Sequence, residues 1–311
     1  ADLQEVPLAV LGGQAAAMWG AGAALGPLLD HQHSRFGVLH YSDPSRVPLP
    51  FLLPPHDWIV DPASFLPAPL AGFLEALWVG ETGELETCWW VPVLFGGAAV
   101  ILGLGHTTLD DWRKRRTLVT QLLEDPTLTD RQALGALEPP QGGWEPSWSF
   151  VLAAIGLFAV QYWLSGALQP MLAPVGPVPA HTLDALLAGY ALLHWAAFEG
   201  SAQGFAMATL CALAGPATEV FLINVGLYEY GRPEIFGTPT WICWVYFCGA
   251  PAVGNLGRRV RADVFKAQLA SSDQGTRPQS RETAGAAELA AESTSRGESR
   301  LRRSRERRGG Q

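Results

Sequence analysis

The sequence predicts an all-α membrane protein, a polytopic bundle of six transmembrane helices with a disordered C-terminal tail. Composition is the first reason, because 48% of the 311 residues are hydrophobic and only 16% are charged, whereas soluble domains carry about a quarter charged residues. The second reason is a series of long uncharged runs, each close to the roughly 20 residues that cross a bilayer. The third is clustered arginine and lysine beside two of these runs, which is typical of the cytosolic side.

The first predicted span is residues 7–29, which carry no charge and are rich in alanine and glycine. Residues 30–87 follow as a long loop, in which only Arg35 and Arg46 oppose many acids. This scarcity of positive charge places the loop on the non-cytosolic side. Within it, residues 65–79 are too short and too interrupted to cross, so we expect an interfacial helix there.

The second span is predicted at residues 88–109, where Trp89 and Trp90 mark the membrane interface. Four cations at residues 113–116 follow directly and indicate the cytosolic side. A short helix is expected at residues 130–137, in the loop that comes next.

The remaining spans follow from a long uncharged stretch and the charges beyond it. Residues 147–183 contain no acid, lysine or arginine, so we divide them into a third span, a proline-rich hairpin and the start of a fourth span. An even number of crossings must separate two cytosolic loops, and four spans meet this condition, which places both termini in the cytosol. The predicted spans are residues 148–168, a fourth that ends at 198, residues 204–227 and residues 236–256.

The end of the chain is basic although the whole chain is acidic. Thirteen of the 21 lysine and arginine residues lie from Arg258 onward beside seven acids, which leaves +6 there and −14 in the rest. Beyond residue 267 the chain cannot bury a core and is predicted to be disordered. Anionic lipid suits such a tail, and nucleic-acid binding is not needed to explain it. The predicted parts are the N-terminus with the first span (1–29), the long loop (30–87), the main helical domain (88–260) and the cytosolic tail (261–311).

Polar residues inside the predicted spans allow two interpretations each. Glu219 lies where a carboxylate costs about 2.5 kcal/mol or more, so it is either a ligand or proton site or a structural residue near the helix opening at Pro216. His194 is either a packing residue at a helix end or a ligand contact. Gln161 and Tyr162 either line a lipid pocket, where polar groups orient a hydroxyl within apolar walls, or form plain helix contacts.

The sequence holds no motif for catalysis or metal binding. It has no serine triad, phosphate loop or paired carboxylate motif, and its cysteines and histidines lack zinc spacing. We therefore predict no enzyme activity, no cofactor and no metal. The small residues at 249–257 predict close helix packing, and Asn255 among them needs a hydrogen-bond partner inside the bundle.

Four separated motifs carry a resemblance to a known family. The first motif is a tyrosine pair after a glycine, followed by a last span that opens with tryptophan and closes as Val-Gly-Asn-x-Gly-Arg. The second is Trp-Trp-Val-Pro at the start of the second span. The third is an aromatic pattern in the third span, and the fourth is Trp-x-x-Phe-acid at the end of the fourth span. In order and spacing these resemble the insulin-induced gene (Insig) family of endoplasmic reticulum membrane proteins, over about residues 87–260. The matching residues are Tyr228, Tyr230, Trp241, Gly254, Asn255, Gly257, Arg258, Trp89, Trp90, Pro92, Trp148, Val151, Ile155, Phe158, Ser165, Trp195, Phe198 and Glu199.

The resemblance implies a regulator of the endoplasmic reticulum membrane without catalytic chemistry. Insig proteins retain the sterol-sensing escort protein Scap when an oxysterol is bound, and they bring hydroxymethylglutaryl-CoA reductase to degradation. The implied ligand is therefore an oxysterol or other lipid, and the implied partners are sterol-sensing-domain proteins of these two kinds. In the family, spans three and four line the sterol pocket, and an aspartate at the cytosolic end of span four is needed for Scap binding.

Carried onto this chain, the resemblance implies specific site residues. The pocket phenylalanine falls on Phe158 and the acidic position on Glu199, whereas Thr182 and Leu186 stand where the family has glutamine and threonine. Together with the residue-level interpretation, the expected ligand contacts are Phe158, Gln161, Tyr162, Thr182, Leu186 and Trp195, and the expected partner contacts are Phe198 and Glu199.

Three functional hypotheses follow. The first is an Insig-like membrane regulator that binds a sterol or other neutral lipid and retains or presents partner membrane proteins in sterol or lipid homeostasis. The second is a small-molecule transporter or lipid-processing membrane enzyme that uses Glu219 and His194. The third is an Insig-domain protein of a plastid membrane with a non-sterol role, because the sequence begins at Ala1 and is rich in alanine and glycine.

Overall fold

The computed structural model describes residues 6–48, 84–135, 137, 139–172 and 179–275, and these are mostly helical. Contacts between residues divide the chain into two units between Val264 and Phe265. The helices are α1 Leu8–Arg35, α2 Trp90–Glu124, α3 Asp130–Gly135, α4 Trp148–Leu172, α5 Ala180–Phe198, α6 Ala202–Asn224 and α7 Ile242–Gly275, and the strands are β1 Leu39–Tyr41, β2 Ser45–Pro48, β3 Glu84–Thr87 and β4 Tyr228–Tyr230.

Four helices are long and apolar enough to cross a membrane, namely α1, α2, α4 as far as Gln169, and α6. They confirm the predicted all-α membrane bundle. The helix α5 has 19 residues and includes Asp184, and the uncharged part of α7 ends at Arg258. Neither helix combines the length and the mean hydropathy that the other four have. The count of six spans therefore stays a prediction.

The long helices run alternately in opposite directions, as contacts at their two ends indicate. Near the start of α1, the Gln14 amide donates to the Thr107 hydroxyl of α2 at 3.2 Å and to the Gly257 carbonyl of α7 at 3.1 Å. Near the end of α1, Asp30 accepts a hydrogen bond from Tyr162, late in α4, at 3.1 Å. This arrangement is compatible with six crossings.

A small β-ribbon joins two loops at the end of the bundle where α1 and α6 terminate. The strand β1 pairs with β4 in antiparallel register, with Leu39 opposite Tyr230 and Tyr41 opposite Tyr228. A second ribbon pairs β2 with β3. The sequence analysis missed both ribbons because strands of three or four residues are too short to show an alternating pattern.

Glycines bring α2 and α7 into backbone contact. A Cβ at Gly257 would lie 2.6 Å from the Gly103 Cα and 2.7 Å from its carbonyl oxygen, and a Cβ at Gly254 would lie 2.6 Å from the His106 ring. Only glycine permits an approach this close. The small residues of 249–257 therefore serve helix packing, as their composition indicates.

The last helix starts later and runs further than the sequence analysis predicts. A tight turn with positive φ at Phe236 and Gly237 delays its start to Ile242. It then continues to Gly275, past residue 261, where the cytosolic tail was predicted to begin, and past residue 267, beyond which disorder was predicted. The reason is that this segment lacks a helix breaker before Gly275, and Val260 and Val264 continue the apolar face that packs into the bundle.

Other boundaries are close to those predicted, and some lie outside the described residues. The expected helix at 130–137 is observed as Asp130–Gly135. The predicted interfacial helix at 65–79 and most of the tail lie outside the described residues. The predicted proline-rich hairpin is described only in part, because α4 continues to Leu172 and the next described residue is Pro179.

Candidate functional site

A buried cluster of charges joins three helices at the end of the bundle predicted to be cytosolic. The guanidinium of Arg258 on α7 donates to Asp110 of α2 at 2.7 Å and to Glu199, just after α5, at 2.6 Å. The Nη2 nitrogen of Arg258 also donates to the second oxygen of each carboxylate, at 3.2 Å for Asp110 and 3.3 Å for Glu199. Arg258 thus makes two-pronged contacts with two carboxylates at once, which is the geometry that its planar fork favours. We call these three residues the arginine cluster.

The chain between α5 and α6 holds Glu199 in this position. Gly200 takes a positive φ of 65°, which turns the chain after Glu199. Ser201 then caps α6, since its hydroxyl oxygen accepts from the Gly204 N–H at 3.0 Å and its O–H donates to Glu199. A side chain at Gly204 would collide with the Glu199 carboxylate, so glycine is required there.

The electrostatics of the cluster keep Glu199 ionised. Burial on its own raises the pKa of Glu199, but the charge and hydrogen bonds of Arg258, together with the bond from Ser201, outweigh burial and bring the pKa below its ordinary value. The side chains of Arg258, Asp110 and Glu199 are 2%, 9% and 0% exposed. Removal of Arg258 would therefore leave two carboxylates without a cation in a medium that solvates charge poorly.

The two residues expected to contact a partner are buried in this structure. Glu199 belongs to the arginine cluster, and the Phe198 ring packs against Phe150 with a centroid distance of 5.1 Å. The Phe198 carbonyl accepts a hydrogen bond from Asn255 at 2.7 Å, which supplies the partner that Asn255 was expected to need. Partner contact by Phe198 and Glu199 stays a prediction, and in this conformation their side chains point into the protein.

Three of the expected ligand contacts lie together on α4. The rings of Phe158 and Tyr162 have a centroid distance of 6.0 Å and an edge-to-face arrangement. Gln161 is fully buried, and its amide nitrogen donates to the Leu187 carbonyl of α5 at 3.1 Å and to the Trp244 carbonyl of α7 at 3.2 Å. Both partners are carbonyl oxygens, which accept hydrogen bonds and therefore bind only the amide nitrogen. The amide oxygen of Gln161 has no hydrogen-bond donor among the described residues.

The other expected ligand contacts are spread along α5. Thr182 lies in its first turn, Leu186 is 48% exposed on the outer surface, and Trp195 lies near its opposite end. The Trp195 indole donates to the Ser201 carbonyl and packs against Phe205 of α6. The structure therefore does not bring the six residues into one site.

Two buried carboxylates and several tyrosines form a second polar cluster, at the opposite end of the bundle. Glu219 accepts from the Tyr230 hydroxyl at 2.6 Å and from the Tyr246 hydroxyl at 2.7 Å. Asp30 accepts from Tyr162 and also from Tyr41 of β1. Both interpretations of Glu219, as a site or as a structural residue, now have specific hydrogen-bond partners. The sequence analysis did not find Asp30, Tyr41 or Tyr246.

The remaining motif residues surround this tyrosine cluster. Trp90 stacks on Tyr228 with a centroid distance of 6.0 Å and meets Tyr41 edge-on at 5.9 Å. Trp241 is buried against the ring of His33 at 5.6 Å. Trp89 is 81% exposed, as an indole at the membrane interface is expected to be. Pro92 lies in the first turn of α2, where proline costs no hydrogen bond.

Glu219 and His194, the two residues of the transporter or enzyme hypothesis, do not meet. The His194 Nε2–H donates to the Ala154 carbonyl at 3.0 Å, near the junction of α5 with α6. Glu219 lies near the far end of α6 with its tyrosine partners. Among the described residues there is also no group of three histidine, cysteine, aspartate or glutamate side chains suited to a metal ion.

The sequence matches one protein family over most of its length. The family is described as "Insulin-induced protein (INSIG)", and residues 14–261 match it. Among curated proteins, the chain is 24% identical to the insulin-induced gene 1 protein of Danio rerio over 175 residues, which are 56% of this chain and 57% of that protein. It is 22% identical to the insulin-induced gene 2 protein of Gallus gallus over 179 residues, or 58% and 65% of the two chains.

A solved structure is also similar. It is the crystal structure of a mycobacterial Insig homologue from Mycobacterium vanbaalenii, with 18% identity, a TM-score of 0.48, and coverage of 79% of this chain and 93% of that one. The chain spans less than two thirds of the two curated relatives. The family match covers far more than half of the sequence and includes every helix from α2 to α6, and the chain therefore belongs to the Insig family.

Proposed function

We propose that this chain is a non-catalytic regulator of sterol or lipid homeostasis that binds a neutral lipid carrying a free hydroxyl group. Family membership supports a membrane regulator of this general kind. The ligand class rests on one observation, the buried amide oxygen of Gln161, which has no donor among the described residues.

A buried acceptor without a donor costs roughly 1–3 kcal/mol. The hydroxyl of a sterol or other neutral lipid would satisfy it, whereas a phosphate or carboxylate would only add acceptors. His194 also has a buried acceptor without a donor. Its Nε2–H donates to the Ala154 carbonyl, and its Nδ1 has no hydrogen-bond donor within the described part of the chain. Both side chains lie on the contact between α4 and α5, beside apolar walls that include Phe158.

We place the protein in the endoplasmic reticulum membrane with both termini cytosolic, following the family and the clustered cations at residues 113–116 and from Arg258 onward. Its partners under this proposal are membrane proteins with a sterol-sensing domain, of the Scap or hydroxymethylglutaryl-CoA reductase kind. The turn from Phe198 to Ser201 lies at the cytosolic end of α5 and would present a surface shaped by the arginine cluster. Glu199 would then act by holding this turn in place.

Photo-crosslinking tests the ligand site. Microsomes that contain the full chain are labelled with a photoreactive oxysterol and, separately, with a photoreactive diacylglycerol. We expect labelling by at least one probe, and we expect Phe158→Ala to lose most of it because Phe158 packs beside Gln161 on α4. Leu152→Ala is the matched control, since Leu152 lies on the same helix and is 62% exposed. Equal labelling of Phe158→Ala and Leu152→Ala would show that the probe does not bind at the assigned site.

A further inference from the structure

Cations and indole rings gather where α2 leaves the membrane. The ammonium of Lys114 lies 4.3 Å from the ring centroid of Trp144, and the guanidinium of Arg116 lies 5.3 Å from that of Trp112. Arg115 and Arg116 are exposed. We call Trp112, Lys114, Arg115, Arg116 and Trp144 the basic indole face.

The depth of this face matches a layer of lipid headgroups. With 1.5 Å of rise per residue, Trp112 lies about 5 Å and Arg116 about 10 Å beyond Leu109, the last residue before the charges of α2. The headgroup layer adds about 5–7 Å to each side of the hydrocarbon core. Tryptophan is enriched at this depth, so the indole of Trp112, which is 52% exposed, lies where indoles are most stable.

The two acids that directly precede the face on α2 are each paired with an arginine of α7. Asp110 is held by Arg258 and Asp111 by Arg261. Arg115 and Arg116 have no carboxylate partner in the described part of the chain. A guanidinium over an indole ring uses none of its N–H groups in a conventional hydrogen bond there, so these groups can donate to a phosphate.

A glycine turn and a helix start hold the indole rings of Trp144 and Trp148 in place. Trp144 follows Gly142 and Gly143, whose positive φ values of 80° and 81° turn the chain toward α2. A Cβ at Gly142 would lie 2.5 Å from the Phe150 ring, so the turn is packed against α4. Trp148, the first residue of α4, lies under the guanidinium of Arg259 at 5.6 Å and extends the same arrangement to α7.

We propose that the basic indole face binds the phosphate headgroups of anionic phospholipids in the cytosolic leaflet. This site differs in location and in ligand charge from the neutral-lipid site at Gln161. Lysine and arginine near an anionic membrane surface each contribute to attraction, and the attraction weakens as salt screens it. The face would anchor the cytosolic end of α2 and fix the depth of the arginine cluster beneath it.

The test measures lipid binding by the purified full chain in a neutral detergent. Fluorescent phosphatidylserine is the anionic probe and fluorescent phosphatidylcholine the neutral one. The double variant Arg115→Gln with Arg116→Gln should bind phosphatidylserine about thirty-fold more weakly, which corresponds to about 1 kcal/mol for each cation removed. Binding of phosphatidylcholine should not change.

Matched variants separate charge from fold. Arg46→Gln with Arg232→Gln removes two exposed arginines at the opposite end of the bundle and should leave phosphatidylserine binding unchanged. Arg115→Lys with Arg116→Lys keeps the charge and should retain most of the affinity. Equal affinity of the double glutamine variant and the unchanged chain would overturn the proposal. So would equally tight phosphatidylcholine binding, or displacement by inorganic phosphate at the lipid's own concentration.

Discussion

Arg258 is one buried cation shared by two carboxylates from distant parts of the chain. Its partners lie 148 and 59 positions away in the sequence, so the cluster holds α2, α5 and α7 together. The charges of such a cluster cost free energy to bury, and the cost is offset only while every member keeps its partner. The cluster therefore makes the bundle dependent on a single side chain.

Arg258→Met should destabilise the bundle strongly. It leaves Asp110 and Glu199 buried without a cation, and the loss should be about 3–5 kcal/mol in the free energy of unfolding. Arg259→Met is the neighbouring control, because Arg259 forms a half-exposed pair with Asp263 and should cost at most about 1 kcal/mol. Denaturant unfolding in detergent micelles measures both. Similar losses in the two variants would contradict the role given to Arg258.

The contribution of Glu199 should depend on pH in a defined direction. Its pKa in the folded protein is lowered from the ordinary 4.5, because Arg258 and Ser201 outweigh burial. A lowered pKa contributes stability that is present above the pKa of the unfolded chain and is lost as the pH falls through the folded value. The stability gap between the unchanged chain and Glu199→Gln should thus stay constant down to about pH 4.5 and shrink below it.

The pH experiment compares unfolding midpoints of the two proteins at a series of pH values. The two proteins share every other side chain, so the difference between their midpoints isolates Glu199. A gap that widens in acid would show that Glu199 is not stabilised as an anion.

Sequence patterns located many of the important residues but not their roles. Arg258 was expected as a cytosolic anchor and Glu199 as a partner contact, and the structure pairs them with each other. No local pattern predicts this pairing, because it depends on which helices become neighbours. Glu219 was singled out from its cost in a span, while its partners Tyr230 and Tyr246 could be found only from the fold.

At the scale of elements, glycines decide how closely α2 and α7 pack. Gly257→Ala should push these helices apart, since its Cβ would lie 2.6 Å from the Gly103 backbone, and it should lower the free energy of unfolding by about 1–3 kcal/mol. Gly156→Ala is the control on α4, where a Cβ meets nothing within 4 Å. There alanine should be neutral or stabilising by up to about 1 kcal/mol, because it is the better helix former.

Thermal unfolding in detergent should give a lower midpoint for Gly257→Ala than for the unchanged chain, and an equal or higher midpoint for Gly156→Ala. A stabilised Gly257→Ala protein would mean that α2 and α7 are not in backbone contact.

Helices were predictable here because apolar length and flanking charge are visible in the sequence. The start of α6 at Ala202 lies within two residues of the predicted one. The ribbons were not predictable, since β1 and β4 have three residues each and pair across most of the chain. The end of α7 was missed because composition alone marked its last residues as tail.

At the scale of the molecule, the alternating helices and the charge pattern predict opposite sides for two exposed positions. A cysteine at Leu123, at the end of α2, should be on the cytosolic side, and a cysteine at Arg232, after β4, on the other. In sealed microsomes an impermeant maleimide should label Leu123→Cys directly and Arg232→Cys only after permeabilisation. The unchanged chain has four free cysteines, two buried and two partly buried, and it sets the background. Labelling of both without permeabilisation would contradict the predicted topology.

The central proposal is that this Insig-family chain holds a hydroxylated neutral lipid near Gln161. The most direct measurement is mass spectrometry of the lipids that remain bound to the purified full chain, compared with Phe158→Ala purified in parallel. The account predicts a neutral lipid with a free hydroxyl group, retained by the unchanged chain and depleted in the variant. Bulk phospholipid alone in both preparations would contradict it.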